Sequence, residues 1–144
     1  MKRLRLGREV LDRMLRHCIE SYPYECCGLM LGYEKEDGKY VVDVVKVRNV
    51  HEGDKRVRYR IDPMEYYEVE KQAEARGLQV VGIYHSHPNV PARPSQYDLS
   101  YSFPWYSYLI ISVSGDRVNE YRAWVRDDSS ENPRFVEQSV EVNE

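Results

Sequence analysis

From Asp62 to Tyr84 the chain writes a helix and a strand back to back, and that unit commits it to helices lying on a sheet. Asp62 can accept from the free N–H groups of a first helical turn. Pro63 suits the first helical position, where its missing N–H costs nothing, and Glu65 completes a capping box. The helix should run to Arg76 and end on Gly77. Leu78 to Tyr84 then runs mostly apolar and reads as a central strand.

The other segments agree with this architecture. Val10, Leu11, Met14, Leu15, Cys18 and Ile19 recur at helical spacing between Arg8 and Glu20, and Pro23 stops that helix. Cys26 to Tyr33 is a buried strand, paired as a hairpin through Glu36-Asp37-Gly38 with Lys39 to Val50. Val57, Tyr59 and Ile61 alternate with Arg56, Arg58 and Arg60, predicting a half-exposed strand. A Pro-rich loop, His87 to Pro94, leads to a short helix opened by Ser95. Ser107 to Val113 and Val118 to Val125 form a last hairpin turning at Ser114-Gly115-Asp116. The expectation is one α/β domain over residues 1–126, a mixed β-sheet flanked by helices. Residues 127–144 are expected to be an acidic, loose tail, with Phe135 and Val136 tied down. At 144 residues there is room for one core and no second.

Composition excludes several functions. A net charge of -3 speaks against a protein that neutralises many phosphates, so no nucleic-acid partner is expected. Three cysteines, two of them adjacent, make no disulfide framework and fit a reducing compartment. No apolar run approaches the roughly 20 residues that span a bilayer, and no hydrophobic leader follows Met1. The expectation is a cytoplasmic protein without a membrane partner. The sequence leaves its oligomeric state open.

The chemistry gathers in one stretch, His85-Ser86-His87 followed by Ser95-Gln96-Tyr97-Asp98. Residues two apart on a strand share a side, so both imidazoles can reach one ion while Ser86 points away. The proline-punctuated loop turns the chain back, and the short helix presents Asp98 in its first turn. Two imidazole nitrogens and a carboxylate suit Zn²⁺, and three protein ligands leave the fourth position open, as catalytic zinc sites do. Hydrolysis of an amide also needs a proton carrier and a donor to the developing oxyanion. Glu25, among Tyr24, Cys26 and Cys27, is the chosen acid/base because burial would raise its carboxyl toward the working range; Glu20, on a solvent-facing helix end, is the competitor. Ser95 reads equally as oxyanion donor and as helix cap.

Other features have plainer readings. Cys26 and Cys27 point to opposite faces of a strand and read as packing residues, and His17 and His51 read as surface residues. Lys55 to Arg60 could take an acidic partner or a C-terminal carboxylate, but a charged strand edge is the commoner explanation. Tyr101 to Tyr106 fits an aromatic wall for a flexible tail as well as it fits core packing.

Glu25, then His85-Ser86-His87, seven residues, Ser95, two residues and Asp98 together resemble the signature of the JAMM (MPN-plus, Mov34/MPN/PAD-1) zinc metallopeptidases, in their short prokaryotic form. The resemblance runs from Glu25-Cys26-Cys27-Gly28-Leu29-Met30-Leu31-Gly32 through the hairpin after Asp98. It implies a curved sheet flanked by helices, similar to cytidine deaminases. It also implies one Zn²⁺ on His85, His87 and Asp98, Glu25 as acid/base and Ser95 as oxyanion stabiliser. The implied activity is hydrolysis of a peptide or isopeptide bond at the C-terminus of a ubiquitin-like protein of the sulfur-carrier type. The alternative is a non-catalytic MPN-type scaffold for such a partner, although scaffolds of that kind lose the histidines or the aspartate. A zinc deaminase would need a Pro-Cys-x-x-Cys segment, and no cysteine follows Cys27.

Overall fold

The order of strands in one mixed sheet explains where the chemistry collects. The computed structural model describes residues 2–144, from Lys2 onward. Its elements are β1 (Arg3–Gly7), α1 (Arg8–Ser21), β2 (Cys27–Lys35), β3 (Gly38–Val47), α2 (Pro63–Ala75), β4 (Gln79–Pro88), α3 (Gln96–Ser100), β5 (Ser107–Ser114), β6 (Arg117–Asp127), β7 (Arg134–Gln138) and β8 (Val140–Asn143). They form a single sheet in the order β7-β6-β5-β4-β2-β3-β1-β8. β4 lies inside it, antiparallel to β2 and parallel to β5. A parallel neighbour cannot be reached by a tight turn. The chain leaving β4 at Pro88 must therefore cross back to Ser107, which pairs with Gly82. That crossover carries Ser95 and Asp98 over the end of the strand that bears the histidines.

Each face of the sheet has its own helix. α1 lays Leu11, Met14 and Cys18 against Leu4, Leu6, Val81, Leu109 and Ile111. α2 lays Val69 and Ala73 against Leu29, Leu31, Val47 and Val80. Because both faces are covered, β2 is apolar at consecutive rather than alternate positions. Cys26 and Met30 face α1, while Cys27, Leu29 and Leu31 face α2. The two adjacent cysteines thus point apart, as expected. Gly28 is required by close approach, since a Cβ there would sit 2.1 Å from the ring of Tyr84. Gly77, with φ +73°, ends α2 in the left-handed region that glycine enters freely.

Three expectations need correction. Residues 56–61 form no strand: Asn49 Oδ1 accepts from Arg60 N, and its Nδ2 donates to the carbonyl of Arg58, so a side chain satisfies backbone groups that a ladder would have used. Glu65 does not close a capping box on Asp62. Asp62 does cap α2, accepting from Met64 N, but the Glu65 carboxylate accepts from Arg48 N instead. The segment after Asp127 is not a loose tail. β7 extends the sheet beyond β6, with the Phe135 ring 5.5 Å from that of Tyr108, and β8 runs parallel to β1 at the far edge. The strand β1, which no expectation covered, buries Leu4 and Leu6.

Candidate metal centre and active site

His85 and His87 stand one pleat apart near the end of β4, both buried, with Ser86 turned to the other face. From the crossover, α3 brings Asp98 over them. The Nε2 of His87 is 3.1 Å from Asp98 Oδ2, and the Nε2 of His85 is 3.5 Å from Asp98 Oδ1. One ligand atom from each of the three residues lies within 4.8 Å of the others. Ligands at about 2.0–2.2 Å around a tetrahedral Zn²⁺ are about 3.3 Å apart, and the two imidazole–carboxylate distances fall on either side of that value.

Hydrogen bonding tests whether a cation fits. His87 Nδ1 lies 3.0 Å from the carbonyl of Pro91, which can only accept, so Nδ1 carries a proton. In the neutral ring, Nε2 then turns a lone pair toward the Asp98 carboxylate. Two lone pairs face each other unless a proton or a cation lies between them. An imidazole whose second nitrogen donates to a backbone carbonyl is the usual arrangement of a metal-bound histidine. Neither ring nitrogen of His85 has a hydrogen-bond partner, although the ring is buried. Its ring stacks on Tyr59, centroids 4.4 Å apart. Such unsatisfied buried nitrogens are costly, and a metal bond would satisfy one of them. The residues present fit zinc.

Asp98 serves the helix as well as the site. Ser95 Oγ accepts from Asp98 N, and Asp98 Oδ2 accepts from Ser95 N, a closed capping box over α3. Burial alone would raise the Asp98 carboxyl. The adjacent imidazole of His85, then that of His87 and the Ser95 N–H, outweigh it and hold Asp98 well below the usual carboxylate range. Ser95 is exposed, and its hydroxyl proton remains free to donate outward while its oxygen accepts the cap.

Glu25 lies just before β2. Its backbone N–H donates to the carbonyl of Lys55, and its carbonyl accepts from Asn49 Nδ2. The side chain is 6 % exposed, and Oε1 has no partner. Burial, with the nearby Asp98 charge second, pushes its carboxyl up to about 9. Glu20 is exposed and paired with Lys46, so it does not compete.

Beyond Asp98 a cavity of about 940 Å³ opens, walled by Tyr59, Tyr66, Tyr97, Tyr101, Phe103 and Tyr106. The tract 101–106 therefore forms a wall rather than core: Tyr101 and Phe103 are largely exposed. His17 is not a free surface residue; its Nδ1 is 2.7 Å from the hydroxyl of Tyr84. Three contributors had no mark in the sequence as site residues. Tyr59 looked like one of an alternating row, the Pro91 carbonyl is backbone, and Asn49 acts by tying the 49–60 loop to Glu25.

Comparison with known proteins adds to this geometry. The family described as prokaryotic homologs of the JAB domain matches residues 7–127. A desampylase of Haloferax volcanii is 36% identical over 118 residues, covering 78% of this chain and 83% of its own. A probable TtuB-protein conjugate cleaving protease of Thermus thermophilus is 32% identical over 115 residues, covering 80% of this chain and 74% of its own. The solution structure of a protein from Desulfitobacterium hafniense superposes with a TM-score of 0.84 at 28% identity, covering 98% of this chain and 93% of that one.

Proposed function

The chain belongs to the prokaryotic homologs of the JAB domain, and from that premise we propose that it uses one Zn²⁺ to hydrolyse a peptide or isopeptide bond at the C-terminus of a ubiquitin-like, sulfur-carrier type protein. As a member it is a JAMM-type peptidase or isopeptidase. The observation that carries the reading is the meeting of His85, His87 and Asp98 from two separate elements beside a buried, unpartnered Glu25 carboxyl.

His85, His87 and Asp98 would hold the ion, and Asp98 is kept ionised for that role. Zinc bound there supplies a Lewis acid and an acidified water. Glu25 takes the water's proton onto its carboxylate and returns it to the leaving amine. Its raised affinity for a proton suits the second half of that task, and a nearby dication would bring it down toward the first. Ser95 donates its free hydroxyl proton to the carbonyl oxygen as negative charge builds there. The aromatic walls exclude water from the cavity and accept an extended tail with small side chains. Three free, buried cysteines suit the cytoplasm as its compartment. Among the described residues, no helix is long and apolar enough to cross a membrane.

A metal-free scaffold is the competing reading, and the intact ligand set speaks against it. The deciding assay incubates the zinc-loaded protein with its host's ubiquitin-like carriers, each extended by one amino acid or joined to a lysine. Release of the free carrier supports the reading; intact carriers after long incubation would refute it.

A further inference from the structure

Behind Glu25, on the α1 face of the sheet, two thiols meet that the hydrolysis does not use. Cys18 of α1 and Cys26 are both buried, with their sulfurs 3.4 Å apart. A buried cysteine is usually only a small hydrophobe. This pair departs from that in three ways. An opening of about 400 Å³ has His17, Glu25, Cys26 and Lys55 among its lining residues. The hydrogen bond between the two sulfurs, with His17 nearby, lowers the Cys26 thiol despite its burial and raises that of Cys18. Cys26 is also tied to the metal-ligand strand: its N–H donates to Ser86 Oγ at 2.9 Å, and its carbonyl accepts from Ser86 N at 3.1 Å. The third cysteine, Cys27, lies on the other face against the carbonyls of Val47 and Arg48 and cannot join them.

We propose that Cys18 and Cys26 are a peroxide-oxidised pair whose reversible disulfide shuts the neighbouring site by displacing Glu25. The shut-off rests on the proposed hydrolysis; the modification does not. The Cys26 thiolate attacks one oxygen of hydrogen peroxide, breaking the O–O bond and leaving a sulfenic acid and hydroxide. Cys18 sulfur then attacks the Cys26 sulfur, the S–O bond breaks, and water leaves carrying the Cys18 proton. Two thiols and one peroxide give one disulfide and two waters, with two electrons passing to the peroxide. The sulfurs must close from 3.4 Å to about 2.05 Å. Cys26 moves toward α1 in doing so, pulling the residue next to it in sequence.

The test treats the zinc-loaded, full-length protein with hydrogen peroxide. Unreacted thiols are alkylated, and the chain is cut after glutamates, separating Cys18 from Cys26 at Glu20 and Glu25. The proposal expects a Cys18–Cys26 linked peptide, an intact mass lower by about 2 Da, and hydrolysis down by about 100-fold. Zinc should be retained, and dithiothreitol should restore turnover. Cys18→Ala should keep basal activity and form no link, and with excess peroxide its Cys26 sulfenic acid should pass on to the sulfinic acid, a mass gain of about 32 Da that dithiothreitol does not reverse. Recovery of Cys18 and Cys26 as separately alkylated thiols would overturn the modification. A complete disulfide with unchanged hydrolysis would overturn the shut-off. A disulfide in a protein that cleaves nothing before treatment would overturn the hydrolytic reading while the modification stands.

Discussion

The ring of Tyr59 lies over the ring of His85, centroids 4.4 Å apart and planes inclined by 26°. Neither nitrogen of that histidine is held by a hydrogen bond, so stacking and packing alone fix its plane. Groups that orient a metal-bound histidine without touching the ion commonly contribute 10–100-fold to affinity. Tyr59→Ala should therefore weaken zinc binding by about that factor, measured by competition with a chelator, while Tyr59→Phe should stay close to the parent. Equal affinity in Tyr59→Ala would mean that the stacking orients nothing.

Glu25 makes two separable predictions. Glu25→Gln should keep zinc and lose turnover by about 10²–10⁴-fold; full activity would remove Glu25 from the mechanism. In chelator-treated protein the same carboxyl should leave a mark on stability. Its folded value is raised from 4.5 to about 9. Between those pH values the folded chain holds a proton that the unfolded chain has lost, so this group's contribution falls as pH rises. The slope approaches about 1.4 kcal/mol per pH unit where the difference is one proton. Urea unfolding at pH 5 to 8 should show a shallower decline for Glu25→Gln than for the parent. Parallel curves would place the carboxyl in water.

Ser95 holds α3 through its oxygen and is assigned to the reaction through its proton. The two roles separate by measurement. Ser95→Ala should cost about 0.5–2 kcal/mol of stability as a lost cap, and kcat should fall by about 10²–10³-fold with little change in KM. Ser95→Asp would keep a capping acceptor but has no proton to give, so stability should recover and kcat should not. Recovered kcat would reduce Ser95 to a cap.

Much of the fold was legible where the chain punctuates itself. Asp62, Pro63 and Gly77 bound α2 because capping, a fixed φ and a left-handed residue are local effects. The pair His85 and His87 and the turn of α3 were legible for the same reason. β1 and β8 were not. Their alternations, Leu4 and Leu6 against Val140 and Val142, are short, and the pairing joins residues 136 apart, as Leu4 and Val140 are. A side-chain link at the same separation, Gln138 Nε2 to the carbonyl of Lys2, ties the same two termini. No local pattern announces such contacts. Residues 56–61 show the reverse failure: their alternation is real, but Asn49 and the pairing of Val50 N with the Arg60 carbonyl hold them as a loop. That loop brings Tyr59 to His85, so the strand expectation concealed a residue of the site.

Zinc content after gel filtration bears most directly on the central claim. The parent protein should carry about one zinc per chain, and His87→Ala and Asp98→Asn, each folded by circular dichroism, should carry almost none. Undiminished zinc in either variant, or a folded parent that takes up none from zinc-replete buffer, would contradict a catalytic ion held at the end of β4.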